Sequence, residues 1–264
     1  MKRGATNVMQ ADRRIGLIPM VCALLLLAAN AQAQSTTGAI LANPAPGFFD
    51  LATPGRFSLT VFGGAFDSDK YKTLQEGFQF NQSLTRYVGI VGRASGYQLF
   101  VGHGYQNPLI PTAGSSARYN FGRFQGGVDL TLAPLTHLFL LGGADAGDSH
   151  RANIEGDFAS WLFVHSMMPL NVMFTAIHDY QNGVTSSSID LRTVVLSREL
   201  YMVMAGAGGS IYGGGFISSI AGQSGPDLSV YYRPWRLGID GQMGYGTANL
   251  YGQLVIYKQF SWVE

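Results

Sequence analysis

Residues 117–147 read ARYNFGRFQGGVDLTLAPLTHLFLLGGADAG, and this stretch decides the fold of the chain. It divides into two extended runs joined at Ala133-Pro134-Leu135-Thr136. In the first run Asn120, Gly122, Phe124, Gly126, Val128, Leu130 and Leu132 share one face, while Arg123, Gln125, Gly127, Asp129 and Thr131 share the other. An apolar face opposite a charged one at a period of two describes a β-strand with unlike surroundings on its two sides. The format recurs along the chain. Its cleanest case sets Ile189, Leu191, Thr193 and Val195 against Ser188, Asp190, Arg192 and Val194.

The first 33 residues follow another rule. Lys2, Arg3, Arg13 and Arg14 precede an apolar run over 15–29, and Ala31-Gln32-Ala33 closes it. This is the three-part pattern of a secretory signal peptide, with cleavage expected after Ala33. The run is short for crossing roughly 30 Å of hydrocarbon as an anchor. Cys22, the one cysteine, leaves with this segment, so disulfides and thiol chemistry are excluded from the mature chain. Of 17 basic and 16 acidic residues, Lys2, Arg3, Arg13, Arg14 and Asp12 also leave, so 13 and 15 remain. That balance has no basic stripe and excludes nucleic acid as a partner class.

Charged residues are 12% of the chain, about half the usual share of a soluble domain, while aromatics reach 12% and Gly numbers 35. No later segment reaches 18 unbroken apolar residues, so no transmembrane helix is expected. Low charge, abundant Gly, Tyr and Phe, and amphipathic strands point to an all-β, closed antiparallel transmembrane β-barrel, in which alternate residues face lipid. A soluble β-sandwich is the competing architecture, and it calls for more charge.

Residues 34–55 carry Pro44, Pro46 and Pro54, which deny a regular ladder, and read as a periplasmic leader ahead of a barrel over 56–264. Expected strands cover 56–66, 74–82, 87–105, the two runs of 117–147, 154–166, 170–180, 185–196, 200–210, 213–233, 235–245 and 250–262. The alternation of the third blurs at Ala94-Ser95-Gly96, which reads as a β-bulge. The tenth is interrupted at Ser224-Gly225-Pro226, and Gln181-Asn182-Gly183 reads as an Asn-Gly hairpin turn. This division makes twelve strands. Ten or fourteen result if the third and tenth runs are cut differently. Links after even strands are tight (SLTR, APLT, MMP, SRE, RP), whereas those after odd strands include the long NPLIPTAGSS. Short turns on one side and longer loops on the other are the habit of bacterial barrels, and an even count lets the last strand close on the first.

The units FQFNQSLTRYVGIVGR and VDLTLAPLTHLFLLGG, the AQA-terminated signal and the final strand YGQLVIYKQFSW carry a resemblance. Over 56–264 the chain resembles a Gram-negative outer-membrane β-barrel of small-porin size. The resemblance is one of architecture. It implies the outer membrane as location, with membrane lipid and the barrel-assembly machinery as partners. One departure is that Val263-Glu264 follow Trp262, where such barrels end on an aromatic residue.

Arg93, Arg123, Asp129, Glu155, Asp157, His165, Asp190, Arg192, Arg236 and Asp240 all fall within expected strands, most of them opposite the apolar face. An Arg or Lys facing lipid at the midplane costs about 2–4 kcal/mol, so these are expected to line the lumen. Two functions fit such a lining: a narrow pore for small polar solutes or an exported polymer such as a polysaccharide, and a closed barrel filled by ion pairs. An outer-membrane hydrolase is a third reading, built on Ser160, Ser187 or Ser188 with a histidine. His165-Ser166 itself cannot serve, because adjacent strand residues point to opposite faces. The histidines show no metal-binding spacing, and the glycine runs at 206–209 and 213–215 lack the Lys-Ser/Thr of a phosphate loop, so no cofactor is expected. Tyr87, Tyr97, Tyr105, Tyr119, Tyr201, Tyr245, Tyr251, Trp235 and Trp262 stand near strand ends as candidates for aromatic girdles.

Overall fold

The computed structural model describes residues 56–69, 71–101, 117–133, 136–164, 168–180, 183–214, 221–246 and 249–263. The signal and leader segments, the loop at 107–116 and His165 lie outside them. Within them run β1 (Arg56–Ser68), β2 (Tyr71–Ser83), β3 (Val88–Val101), β4 (Ala117–Ala133), β5 (Thr136–Gly147) and β6 (Ala152–Val164). There follow β7 (Met168–Asp179), β8 (Val184–Ser197), β9 (Tyr201–Gly214), β10 (Ala221–Tyr232), β11 (Leu237–Gly246) and β12 (Asn249–Val263).

Every strand pairs antiparallel with its sequence neighbours, and β1 pairs with β12 from Arg56↔Val263 to Ser68↔Tyr251, so the sheet closes into a barrel. Closure leaves no open strand edge, the condition that hydrocarbon imposes on a sheet. The shortest strand, β11, has 10 residues, enough for a tilted crossing of an apolar band about 25 Å tall. Among the described residues no helix is long and apolar enough to cross a membrane.

Alternation sorts the two faces. On β2 Tyr71, Thr73, Gln75, Gln79, Asn81 and Ser83 are buried inside, whereas Lys72, Leu74, Glu76 and Phe78 are exposed outside. Around the barrel the outer face carries Val61, Phe78, Ile90, Phe124, Val128, Leu140, Ile154, Phe174, Leu228 and Ile256, all exposed. Charges within this surface include Glu76, between Leu74 and Phe78, and Lys258, whose ammonium lies 5.2 Å from the Phe260 ring centroid. Lying beside an aromatic ring lets a lysine keep its apolar stem against the wall.

Several details differ from the sequence reading. β3 alternates without a bulge at Ala94-Ser95-Gly96, since both of its ladders run in unbroken register. The blurred pattern came from small residues, Gly92, Ala94 and Gly96, on the outer face. Bulges occur instead between Thr131 and Ala133 and between Val194 and Leu196. β9 extends to Gly214, and β10 runs straight through Ser224-Gly225-Pro226. Pro226 pairs with Ala207 of β9, while the β10–β11 ladder skips from Ser224↔Tyr245 to Asp227↔Gln242. A proline lacks the N–H a second ladder needs, so that gap tolerates it. Gly183 does adopt a left-handed φ of 60°, as an Asn-Gly turn requires.

Of the girdle candidates, Tyr87, Tyr201, Trp235 and Trp262 are exposed at the end bearing the even-strand links, and Tyr245 is exposed at the other end. Tyr97, Tyr119 and Tyr251 instead occupy inner positions, with Tyr97 and Tyr251 fully buried. Residue parity on each strand, and not nearness to its end, decides this.

Candidate functional site

The inner face is layered. Near the β1–β2 link Phe66, Tyr71, Leu99, Val101 and Tyr251 pack together, with Phe66 stacked 4.8 Å from Tyr71 and 5.5 Å from Tyr251. Toward the even-strand links a second cluster joins Val91, Phe139, Leu141, Ala159, Trp161, Met202 and Met204. The charged groups lie in two separate clusters on the wall.

The first cluster spans β2 to β6. Arg93 on β3 donates through Nε to Gln79 (2.9 Å), through one terminal nitrogen to Glu155, and through the other to Asp157 Oδ2 (2.8 Å). Glu155 and Asp157 stand on β6, three strands away. The intervening positions include Gly127 and Gly143, where an added Cβ would meet backbone oxygens at 1.9 and 2.0 Å. These two residues present no side chain between the two ends of the network. β3 and β5 also approach each other across β4. Gln125 Nε2 donates to Glu155 Oε2 (2.6 Å) and to Asn153 Oδ1 (3.0 Å). Arg123 grips Asp145 through two bonds, 2.7 and 3.1 Å, and Ser149 and Asn153 donate to the same carboxylate. Side-chain exposure falls to 2% for Arg93 and 1% for Glu155, so the charges are held by one another and by amides rather than by water.

The second cluster spans β8 to β11 around one cation. Arg192 on β8 stands 3.1 Å from Asp190, 3.2 Å from Asp227 on β10 and 3.0 Å from Asp240 on β11. β9 contributes Gly206 and Gly208 here, so no side chain of β9 intervenes. Asp190 Oδ1 fills the space over Gly208, 1.9 Å from where a Cβ would sit. Ser229 donates to Asp240. Asp227 has no exposed side-chain surface, and neither of its oxygens receives a hydrogen bond.

Elsewhere on the inner wall His137 Nδ1 lies 2.9 Å from Asp129 Oδ1, both buried, with Phe139 stacked beside the imidazole. Asp179 pairs with Arg151 at 3.2 Å.

The structure thus places Arg93, Arg123, Asp129, Glu155, Asp157, Asp190, Arg192 and Asp240 on the inner face and gathers seven of them into the two clusters. Asp129 stays apart with His137. Arg236 precedes β11, in a turn closed by its own N–H to Arg233 O (3.1 Å), with φ of 49°. Its guanidinium bonds to the Ser261 hydroxyl of β12. Asp145, Asp227 and His137 were missed. Parity from Phe139 and Leu141 would have found Asp145, whereas Asp227 was hidden by reading Pro226 as a break. The hydroxyl of Ser160, a candidate nucleophile, is fully buried and bonded to Thr136 Oγ1 (2.8 Å). Among the described residues no group of three His, Cys, Asp or Glu side chains is arranged to hold a metal ion.

No protein-family model matches the chain, and no curated protein does. Solved structures do. An outer-membrane channel of Pseudomonas putida F1 superposes with a TM-score of 0.53 at 10% identity, over 83% of this chain and 100% of that one. The β domain of the Bordetella autotransporter BrkA reaches a TM-score of 0.46 at 9% identity, over 78% of this chain and 99% of that one. At such identity the likeness is one of fold, and the first of the two carries it: the chain has the fold of the Gram-negative outer-membrane β-barrels.

Proposed function

We propose that the chain is exported by its first 33 residues, inserts into the outer membrane and forms a narrow channel for small polar solutes. One observation carries this reading. Among the described residues the inner wall carries eight strand carboxylates (Asp129, Asp145, Glu155, Asp157, Asp179, Asp190, Asp227, Asp240) against four guanidiniums (Arg93, Arg123, Arg151, Arg192). A barrel that only had to be filled would be at least as stable with apolar side chains in these positions, since buried ion pairs seldom exceed well-packed hydrophobic groups in stability. Charge kept at that cost is the mark of a lining that meets ions and solutes. The excess of carboxylates repels a polyanion, so small solutes fit this wall better than an acidic polysaccharide.

A second reading has its own observation. The apolar cluster around Phe139, Leu141 and Trp161 occupies inner positions and is nearly inaccessible, as a closed structural barrel would require. Planar-bilayer recording of the purified full-length protein separates the two: discrete conductance steps are expected for the channel, and silence at both polarities with folded protein favours the closed barrel. Mass analysis of protein recovered from outer membranes is expected to show a chain beginning at Gln34, and recovery from the soluble fraction would contradict the export reading.

A further inference from the structure

The two ends of the barrel treat their outer charges differently. At the end bearing the odd-strand links Lys72 lies 2.9 Å from Asp67, and Arg151 lies 3.2 Å from Asp179. At the other end the links after β8 and β10 carry Arg198, Arg233 and Arg236, and Glu199 is the one carboxylate in either link. Arg198 and Arg233 are exposed, and among the described residues neither forms an ion pair.

These two links are fastened into one surface. The Arg198 N–H donates to Tyr201 O (2.8 Å), and the Arg233 N–H donates to Leu200 O (2.8 Å). A terminal nitrogen of Arg233 donates to the Ser197 hydroxyl (2.9 Å), so the second link is held against the first. Arg236 O accepts from the Gln259 N–H of β12 (3.0 Å), and Lys258 stands beside it on the outer face, opposite Leu237. Across the β1–β12 closure the link after β2 adds Arg86, its guanidinium 4.5 Å from the Tyr87 ring centroid. The links after β4 and β6 contain no Lys or Arg, so the positive charge is confined to one arc of the rim. On the same turns Leu200, Tyr201 and Trp235 are exposed, with Trp235 edge-on to Tyr232. Exposed apolar bodies beside unpaired guanidiniums are ill suited to water. They fit the boundary of a bilayer, where rings enter the acyl region and cationic heads stay at phosphate depth.

We propose that this arc is a binding surface for membrane lipids with anionic headgroups. Arg198 and Arg233 hold the phosphodiester oxygens, and Leu200, Tyr201 and Trp235 pack against the acyl chains. The planar fork of a guanidinium suits phosphate oxygens, which it can bond in pairs. Clustered basic groups at a bilayer surface favour anionic lipids over neutral ones. Glu199 offsets one positive charge of the arc and leaves the rest in excess. The apolar side chains on the same turns favour a lipid over soluble phosphate. The inference rests on the reading that the chain inserts into the outer membrane. It is independent of whether the barrel conducts, and it adds a lipid partner at the even-link end.

The test uses full-length protein folded into phosphatidylcholine vesicles containing a minor fraction of phosphatidylglycerol with brominated acyl chains. Bromine quenches nearby tryptophan, and of the three tryptophans Trp235 and Trp262 are exposed at this end whereas Trp161 is buried. Quenching is compared with that by brominated phosphatidylcholine at the same fraction, which gives a relative binding constant. Phosphatidylglycerol is expected to be favoured about threefold or more, falling toward parity in about 1 M NaCl, where the Debye length is roughly 3 Å. Arg198→Gln/Arg233→Gln is expected to bring the ratio close to one, while Arg118→Gln at the opposite end leaves it unchanged. Heat-modifiable migration on gels checks folding, and Arg198→Gln alone carries the test should the double variant fail to fold. A wild-type ratio of one, or an equal drop in Arg118→Gln, overturns the lipid surface and leaves the membrane reading standing. Loss of the preference on adding inorganic phosphate at constant ionic strength assigns the arc to soluble phosphate and also overturns it. Failure of the wild type to fold into vesicles of any composition overturns the membrane reading and this inference together.

Discussion

The β2–β6 wall and the β8–β11 wall solve the same problem differently. Each joins an arginine to carboxylates on a distant strand with glycines at intervening positions: Gly127 and Gly143 in the first, Gly206 between Arg192 and Asp227 in the second. On the first wall the charges are bonded to one another and to amides and act as a tie between strands, with Asp157 Oδ1 and Gln125 Oε1 left buried without a partner. On the second the charges are gathered but left unbalanced, and Asp227 is held without a single hydrogen-bond donor. Equal topology therefore yields one region built for cohesion and one that keeps an unspent electrostatic field.

The difference is open to direct attack. The largest effect is expected at Arg93→Ala, which strands Glu155 and Asp157 as buried charges and should cost about 3–5 kcal/mol. Urea unfolding of vesicle-inserted protein, followed by tryptophan fluorescence, measures it, and a loss below about 1 kcal/mol would mean the tie is not structural. Glu155→Gln removes a charged acceptor of two hydrogen bonds, and a loss of about 1.5–3 kcal/mol is expected in the same assay.

The glycine paths come next. Gly127→Ala and Gly206→Ala each drive a methyl to within 1.9 Å of a backbone oxygen, an overpacking worth about 1–3 kcal/mol. Gly126→Ala serves as their control, because its added Cβ meets nothing within 4 Å on the outer face. If all three alanines behave alike, the bare strand is not what lets the arginines meet their carboxylates. The smallest effect belongs to Asp227→Asn, whose stability is expected to stay within about 1 kcal/mol of wild type because no hydrogen bond is lost. A loss as large as that of Glu155→Gln would erase the contrast between the walls.

Legibility in the sequence followed locality. The faces of residues 117–133 were readable because side-chain direction alternates with each residue of a strand whatever lies beyond it. Twelve strands followed from turn residues and from the parity of link lengths. Where glycine and alanine thinned the contrast, as at Gly92, Ala94 and Gly96, alternation persisted in space while fading in the letters, and a bulge was read where none exists. Pro226 misled in the opposite sense, since one neighbouring ladder sufficed to hold it within β10 and so to aim Asp227 inward.

The sequence by itself determined the barrel class, the two faces and most of the charged residues that point inward, because those rest on a period of two and on the cost of charge in lipid. Which of those charges meet was decided by the tertiary structure alone. Arg93 and Glu155 are 62 residues apart, and Arg192 and Asp240 are 48 apart. Their meeting depends on closure, on the stagger of successive strands, and on glycines that clear the wall between them. No local pattern encodes those three conditions, so only the folded barrel shows that one arginine is a tie and the other the centre of an acidic patch.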